Sequence, residues 1–265
     1  MSKDKRFLVN VGMRNLPFPI KTISKLDPNG QTTIADISIS ARIMQEFETR
    51  WIDKFIQVLH RHRDRIEPTL KIMRVNIVDY LKELNANTVR IDFDYPYFIE
   101  KSTPISGEKC LVRYLCSYSA RSSSEKKEPK IVFKMRVPAI TTYPASNSDI
   151  PGGLFGQLSL VDVEIDSKNN VYPEDVVAMV DKHALSPVYS YLTEEDQVHI
   201  IQKAHSMKKT SVEMVDGIKR ELATDPDIQY YSVFCANHGM LHAYSTVVGT
   251  EKSRWVPFSG CDDEI

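Results

Sequence analysis

The chain has little of what usually gives a function away. Its four cysteines, Cys110, Cys116, Cys235 and Cys261, show no CxxC spacing, which excludes the common zinc-ribbon and dithiol motifs. In a chain of 265 residues they are expected as thiols in a reducing compartment, not as a disulfide framework. No apolar run approaches the roughly 20 residues of a membrane-spanning helix. Neither charge sign is in excess: 34 Lys and Arg face 35 Asp and Glu, a net charge of -1. Nothing in that balance favours nucleic acid as a partner. A glycine-rich phosphate loop, HExxH and GxSxG are all missing. The start, Met1-Ser2-Lys3-Asp4-Lys5-Arg6, is charged and leads into a mixed segment, not a leader's apolar core. Cytoplasm is therefore the expected compartment.

What is present is an ordinary globular composition, 42% apolar and 26% charged, long enough to bury a core. Element order repeats. In the first half, Ala35, Ile37, Ile39, Ala41 and Ile43 alternate along a strand over Thr32–Ile43. Phe47, Trp51, Phe55 and Leu59, with Ile52 and Ile56 beside them, predict a helix. Leu70, Met73, Ile77, Leu81 and Leu84 predict a second one behind Pro68, which suits an early helical position. Strands follow over Thr88–Phe98 and Leu111–Ala120. On the latter, Cys110 and Cys116 would share a face.

In the second half, Lys130–Ile140 and Gln157–Ile165 read as paired strands. Helices are expected over Pro173–Lys182, Glu194–Ser206 and Thr210–Leu222. A last strand spans Gln229–Val247, long enough to hold a bulge or turn near Gly239. The polar stretch Arg121–Pro129, with Lys126 and Lys127, is expected to be a solvated loop joining two modules, 1–125 and 126–265. The pattern predicts an α+β chain with two antiparallel sheets, each carrying helices on one face.

The most telling stretch is Thr141-Thr142-Tyr143-Pro144-Ala145-Ser146, followed by Gly153-Leu154-Phe155-Gly156-Gln157-Leu158-Ser159. It resembles the active-site segment of type IB GTP cyclohydrolases, which reads Cys-Pro-Cys-Ser and then Gly-Ala-His-Asn-Gln-Arg-Ser at the same spacing. Further pieces are similar to that family in order and spacing. They are Val11-Gly12-Met13-Arg14-Asn15-Leu16-Pro17 with Pro19-Ile20, Thr49-Arg50-Trp51-Ile52-Asp53-Lys54-Phe55, Ser186-Pro187-Val188-Tyr189, Thr210-Ser211-Val212-Glu213 and Ala243-Tyr244. The resemblance implies a tunnelling fold of tandem modules. It also implies a homo-oligomer, dimer or tetramer, with sites at subunit interfaces and a small purine-like or pterin-like heterocycle as ligand. Neither nucleic acid nor membrane is expected as a partner.

The family's metal donors are not carried over. Tyr143 stands at the first cysteine and Phe155 at the histidine of the second motif. Trp51 replaces a family histidine and Lys54 an arginine, and the ligand glutamate falls on Val198, or on Gln197 with a one-residue shift. In the last strand the two family histidines fall on Gly239 and Leu241. With a one-residue insertion they fall on His238 and Met240 instead. Phenylalanine offers no donor, and a tyrosine must lose a proton of pKa about 10 to become one. No cofactor is expected, and no metal through these positions. One alternative rebuilds a metal site from Cys235, His238 and His242. On an uninterrupted strand the two histidines would share a face and Cys235 would point away.

By position, Glu213, Gln157 and Ser146 are the candidate substrate-binding residues, with Glu213 gripping the ring edge through paired N–H bonds. Tyr143, His238 and His242 are the candidate catalytic ones. Three readings follow: a metal-independent enzyme on a heterocycle, a non-catalytic binding or assembly protein on the same scaffold, or a GTP cyclohydrolase with a relocated metal.

Overall fold

A computed structural model describes residues 9–26, 28–43, 51–63, 67–125 and 128–252. Phe47, Thr49, Arg50, Lys126, Lys127, Cys261 and the acidic run Asp262-Asp263-Glu264 lie outside the described residues. The elements run β1 (Val9–Thr22), β2 (Gln31–Ile43), α1 (Trp51–His62), α2 (Thr69–Glu83), β3 (Ala86–Ser102), β4 (Lys109–Ser123) and β5 (Lys130–Thr142). They continue with β6 (Gly156–Ser167), α3 (Pro173–His183), β7 (Ser186–Pro187), α4 (Glu194–Ser206), α5 (Ser211–Thr224), β8 (Ile228–His238) and β9 (Thr246–Glu251). This is the α+β architecture that the alternating and helical periodicities predict.

Two compact units can be drawn. One holds the described residues of Met1–Tyr97 with Leu115–Phe133 and Asn170–Tyr172. Its strands follow the order β1-β2-β3-β4-β5. β1 pairs antiparallel with β2, and β2 with β3. The inward row of β2 is the predicted one: Ala35, Ile37, Ile39, Ala41 and Ile43 are all buried. Opposite them β3 turns Val89, Ile91 and Phe93 inward. Burying each of the larger ones, such as Ile37, Ile91 or Phe93, contributes about 1.5–3 kcal/mol. Helices α1 and α2 pack on each other, and the Tyr80 hydroxyl donates to the Phe55 carbonyl at 2.8 Å. β1 is the strand the sequence hides. Pro17 and Pro19 break its ladder, and a register shift between Met13 and Leu16 spoils its alternation, with Asn15 left-handed at φ 54°.

The other unit holds Phe98–Tyr114, Lys134–Asn169 and the described residues of Pro173–Ile265. Its strand order is β3-β4-β5-β6-β8-β9, with β7 paired to β5. β6 and β8 are antiparallel in a long register that sets Ser159 opposite Asn237 and Leu158 opposite His238. α5 packs on β8 through Met214, Val215, Ile218 and Leu222, and α3 packs on α5. The last strand is not continuous. β8 ends at His238, a turn follows at Gly239, and β9 begins at Thr246. Strand parity therefore no longer relates His238 to His242. Cys110 and Cys116 do share the inward face of β4, and with Cys235 they are buried thiols.

Candidate functional site

The site lies in the second unit, where β5 leads through a turn into β6. Tyr143, directly after β5, donates its backbone N–H to the Phe155 carbonyl at 3.0 Å, and Ser146 N–H donates to the Tyr143 carbonyl at 3.0 Å. The Ser146 hydroxyl donates to the Phe155 carbonyl and accepts from its N–H, both at 3.4 Å. Ser146 thus holds the turn in shape. The fastening lays the Tyr143 and Phe155 rings face to face, centroids 4.9 Å apart and 18° from parallel. The turn after β8 covers the ring of Tyr143 as well: a Cβ on Gly239 would meet Tyr143 Cδ2 at 2.9 Å. Tyr143 is 6% exposed. Its hydroxyl hydrogen-bonds to none of the described residues and is not sealed from solvent.

His242 reaches this cluster from the β8–β9 turn. Its ring centroid is 6.3 Å from that of Tyr143, and its other contact is a stacked Tyr244 at 4.8 Å. His238 does not join them. It ends β8 on the outward face, opposite the exposed Leu158.

Beneath the aromatic pair the inward rows of three strands end in polar residues. Gln157 Nε2 donates to Thr141 Oγ1 at 3.2 Å, and Thr141 Oγ1 and Ser159 Oγ are 2.7 Å apart. Ser159 Oγ donates to Asn237 Oδ1 at 2.7 Å, which also accepts from the Cys235 thiol at 3.3 Å. Asn237 Nδ2 donates to Ser211 Oγ at 3.0 Å and to Thr246 Oγ1 at 3.5 Å. All seven residues but Thr246 are buried. Each of these buried side chains has at least one partner, while Gln157 Oε1 takes no hydrogen bond from the described residues. Burial pushes the Cys235 thiol up to about 11, partly offset by its bond with Ser159.

Glu213 sits in the first turn of α5. Its Oε2 accepts from the Thr210 N–H at 2.7 Å and from the Thr210 hydroxyl at 2.9 Å, while Thr210 Oγ1 accepts from Glu213 N–H. This is a capping box. Those bonds hold its carboxyl below the usual range, with Lys208 and Lys209 adding to the effect. Oε1 takes no bond from the described residues. The N-terminus of α5 is tied to Tyr143's strand: Thr142 N–H donates to the Lys209 carbonyl at 2.8 Å, and Thr142 bridges Thr210.

The donor set does not fit the metal of the resembling family. Tyr143 is packed against a ring and a backbone, Phe155 has no donor, residue 239 has no side chain and Val198 is an exposed apolar residue of α4. The rebuilt alternative is not assembled either. Cys235 points inward to Asn237, His238 points outward, and His242 lies beyond the end of the strand. Among the described residues no group of three or more His, Cys, Asp or Glu is arranged to hold a metal ion.

A family profile described as type I GTP cyclohydrolase folE2 matches residues 2–248. The chain belongs to that family. It is 29% identical over 244 residues to GTP cyclohydrolase FolE2 of Geotalea uraniireducens (strain Rf4), covering 92% of this chain and 88% of that protein. It is 28% identical over 258 residues to GTP cyclohydrolase FolE2 of Thermotoga sp. (strain RQ2), covering 96% of each. Among solved structures it is similar to uricase from Arthrobacter globiformis, with a TM-score of 0.55, 10% identity and 96% of both chains covered. A uricase from Bacillus fastidious gives a TM-score of 0.56 at 10% identity, covering 92% of this chain and 93% of that one. At such identity the likeness speaks for the fold alone, the uricase-like tunnelling fold.

Sequence reasoning passed over Thr141, Ser159, Ser211 and Asn237. A signal was there. On β5, β6 and β8 the inward rows run Val137-Ala139-Thr141, Val163-Val161-Ser159 and Val233-Cys235-Asn237, apolar until the last member. Polar residues ending three inward rows at one end of a sheet mark a buried hydrogen-bond cluster.

Proposed function

We propose that this member of the FolE2 family binds a planar purine-like or pterin-like heterocycle beside Tyr143 and acts on it without the metal of its relatives. Glu213 would accept N–H bonds from the ring edge through Oε1, and Gln157 would face the same ligand. One observation carries the reading. Tyr143 Oη, Gln157 Oε1 and Glu213 Oε1 take no hydrogen bond from the described residues, although the segments bearing them are fastened together. Acceptors and hydroxyls left unpaired on segments that are tied to one another suit a ligand that supplies the partners. The relatives' shared name, GTP cyclohydrolase, supports a guanine-type ring.

The chemistry assigned to the chain is general acid–base work. The Tyr143 hydroxyl can give a proton to a ring atom, and the His242 imidazole, next in the aromatic row, can take one from water. Ring opening by water assisted in this way would be slower than metal-assisted opening, where the ion supplies the activated water. We propose further that the tandem modules 1–125 and 126–265 assemble with other copies into a cytoplasmic homo-oligomer with sites at its interfaces.

A second reading is favoured by the Tyr143–Phe155 stack, which fills the place of the family's metal donors with carbon. A binding or assembly protein that has lost chemistry would look the same there. Calorimetric titration of GTP and a reduced pterin into wild type and Glu213→Ala tests the ligand. Binding that Glu213→Ala abolishes supports the proposal; no binding, or binding unchanged in the variant, contradicts it. Turnover of the bound compound then separates enzyme from binding protein.

A further inference from the structure

The polar cluster beneath Tyr143 has a direction, and its direction selects one edge of the ligand. Asn237 Oδ1 accepts from Ser159 Oγ at 2.7 Å and from the Cys235 thiol at 3.3 Å, while its Nδ2 donates to Ser211 and Thr246. A thiol is a poor acceptor, so the oxygen belongs on the Cys235 side of the amide. With its only proton given to Asn237, Ser159 can take part in the 2.7 Å contact with Thr141 only as acceptor, and Thr141 must donate. With that proton spent, Thr141 Oγ1 can only accept from Gln157, at 3.2 Å. The amide of Gln157 is then fixed with Nε2 inward and Oε1 outward. Oε1 faces the Gly239 side, 3.6 Å from where a Cβ on that residue would stand.

We infer that Asn237, Ser159 and Thr141 are positioning residues that set the polarity of Gln157, so that the site presents a hydrogen-bond acceptor and takes a ring edge rich in N–H donors. The inference rests on the heterocycle reading above and adds a specificity to it. A guanine or pterin lactam edge, with ring N–H and exocyclic amine, satisfies an acceptor at Gln157. An edge whose ring nitrogen has a lone pair in that place leaves two acceptors face to face. A site built around a particular hydrogen bond rejects ligands that leave its groups unpaired far more strongly than it rejects a change of size. The chain of hydroxyls makes this preference a property of residues that never touch the ligand.

The test uses full-length protein with GTP and ATP as probes, affinities measured by calorimetry and folding checked by thermal melting. Wild type should prefer GTP. Thr141→Val keeps the shape of residue 141 and removes its hydroxyl, leaving Gln157 free to turn its amide. The GTP-over-ATP preference should fall by about tenfold, the worth of one hydrogen bond. Thr141→Ser restores the hydroxyl and should restore the preference, which a merely structural role in packing would not do, since serine leaves a gap that valine fills. Gln157→Met removes the acceptor outright and should lose the same preference, so the question stays answerable if Thr141→Val does not fold. A preference unchanged in folded Thr141→Val overturns the relay, and one unchanged in Gln157→Met overturns it by removing Gln157 from recognition, in each case leaving heterocycle binding standing. Failure of wild type to bind either nucleotide or a pterin overturns both.

Discussion

Gly239 lies against the ring of Tyr143 so closely that a Cβ on the glycine would stand 2.9 Å from Cδ2 and nearer still to Cε2. In one register of the family resemblance these positions correspond to a histidine and a cysteine. Here they form a matched pair, a residue without a side chain beside a large ring. Gly239→Ala should therefore destabilise the protein by about 1–3 kcal/mol through overpacking. In a Tyr143→Ala background the same substitution should cost almost nothing. Chemical denaturation of the four proteins of the cycle measures the coupling, expected within about 0.5–3 kcal/mol. Additive effects would mean that the ring and the turn do not share that space.

Glu213 has a structural duty besides the proposed one. Its carboxyl is held below the usual range by the Thr210 N–H and hydroxyl bonds. A carboxylate with a depressed folded pKa adds stability that is present above its unfolded pKa of about 4.3 and is lost as pH falls through the folded value. Wild type should thus melt above Glu213→Gln at neutral pH, and the gap should close on acidification. A gap that is constant between about pH 6 and pH 3 would contradict the capping geometry.

Asp196 fastens α4 to the turn between β3 and β4. Its Oδ1 accepts from the N–H groups of Ile105 at 2.8 Å and Ser106 at 3.1 Å, and its Oδ2 accepts from the Ser106 and Thr193 hydroxyls, both at 2.7 Å. Burial opposes ionisation, but these bonds outweigh it and hold the carboxyl well below the ordinary range. Asp196→Asn should weaken both backbone bonds. Hydrogen exchange at Ile105 and Ser106 should then quicken, with other amides of β3 little changed. Equal exchange in wild type and variant would show that the carboxylate does not hold the turn.

Cys235 should be chemically silent. With its thiol pushed up to about 11 by burial, little thiolate exists at neutral pH, and the sulfur is enclosed. Alkylation by iodoacetamide at about pH 8, read by peptide mass spectrometry, should leave Cys235 unmodified until denaturant is added. Rapid labelling of the native protein would show a reactive site where the structure has a sealed one.

Much of the architecture was legible because burial writes itself as period. The inward row of β2 and the helices α1 to α5 are where the apolar spacing puts them. β1 was not legible, since its prolines and shifted register erase the alternation that marks a strand. The end of β8 was half legible: Gly239 marks the break, but only the turn shows that His242 leaves the strand and comes back beside Tyr143. That His238 faces away follows from strand parity, since it ends β8 next to the inward Asn237. Thr210-Ser211-Val212-Glu213 spells a capping box as plainly as a binding motif, and the structure gives the glutamate the first role without using its second oxygen. The direction of the Gln157 amide was out of reach of any sequence pattern, because it follows from hydroxyls on three strands far apart in the chain.

We propose that this chain binds its heterocycle, and acts on it, through side chains without a bound ion. Titrating GTP into protein stripped with a chelator, and then into the same protein supplied with zinc or iron, tests it directly. Equal affinity and equal turnover in the two preparations, with metal analysis far below one ion per chain, is the expected result. Binding or turnover that vanishes on chelation and returns with one tightly held ion per chain would contradict it.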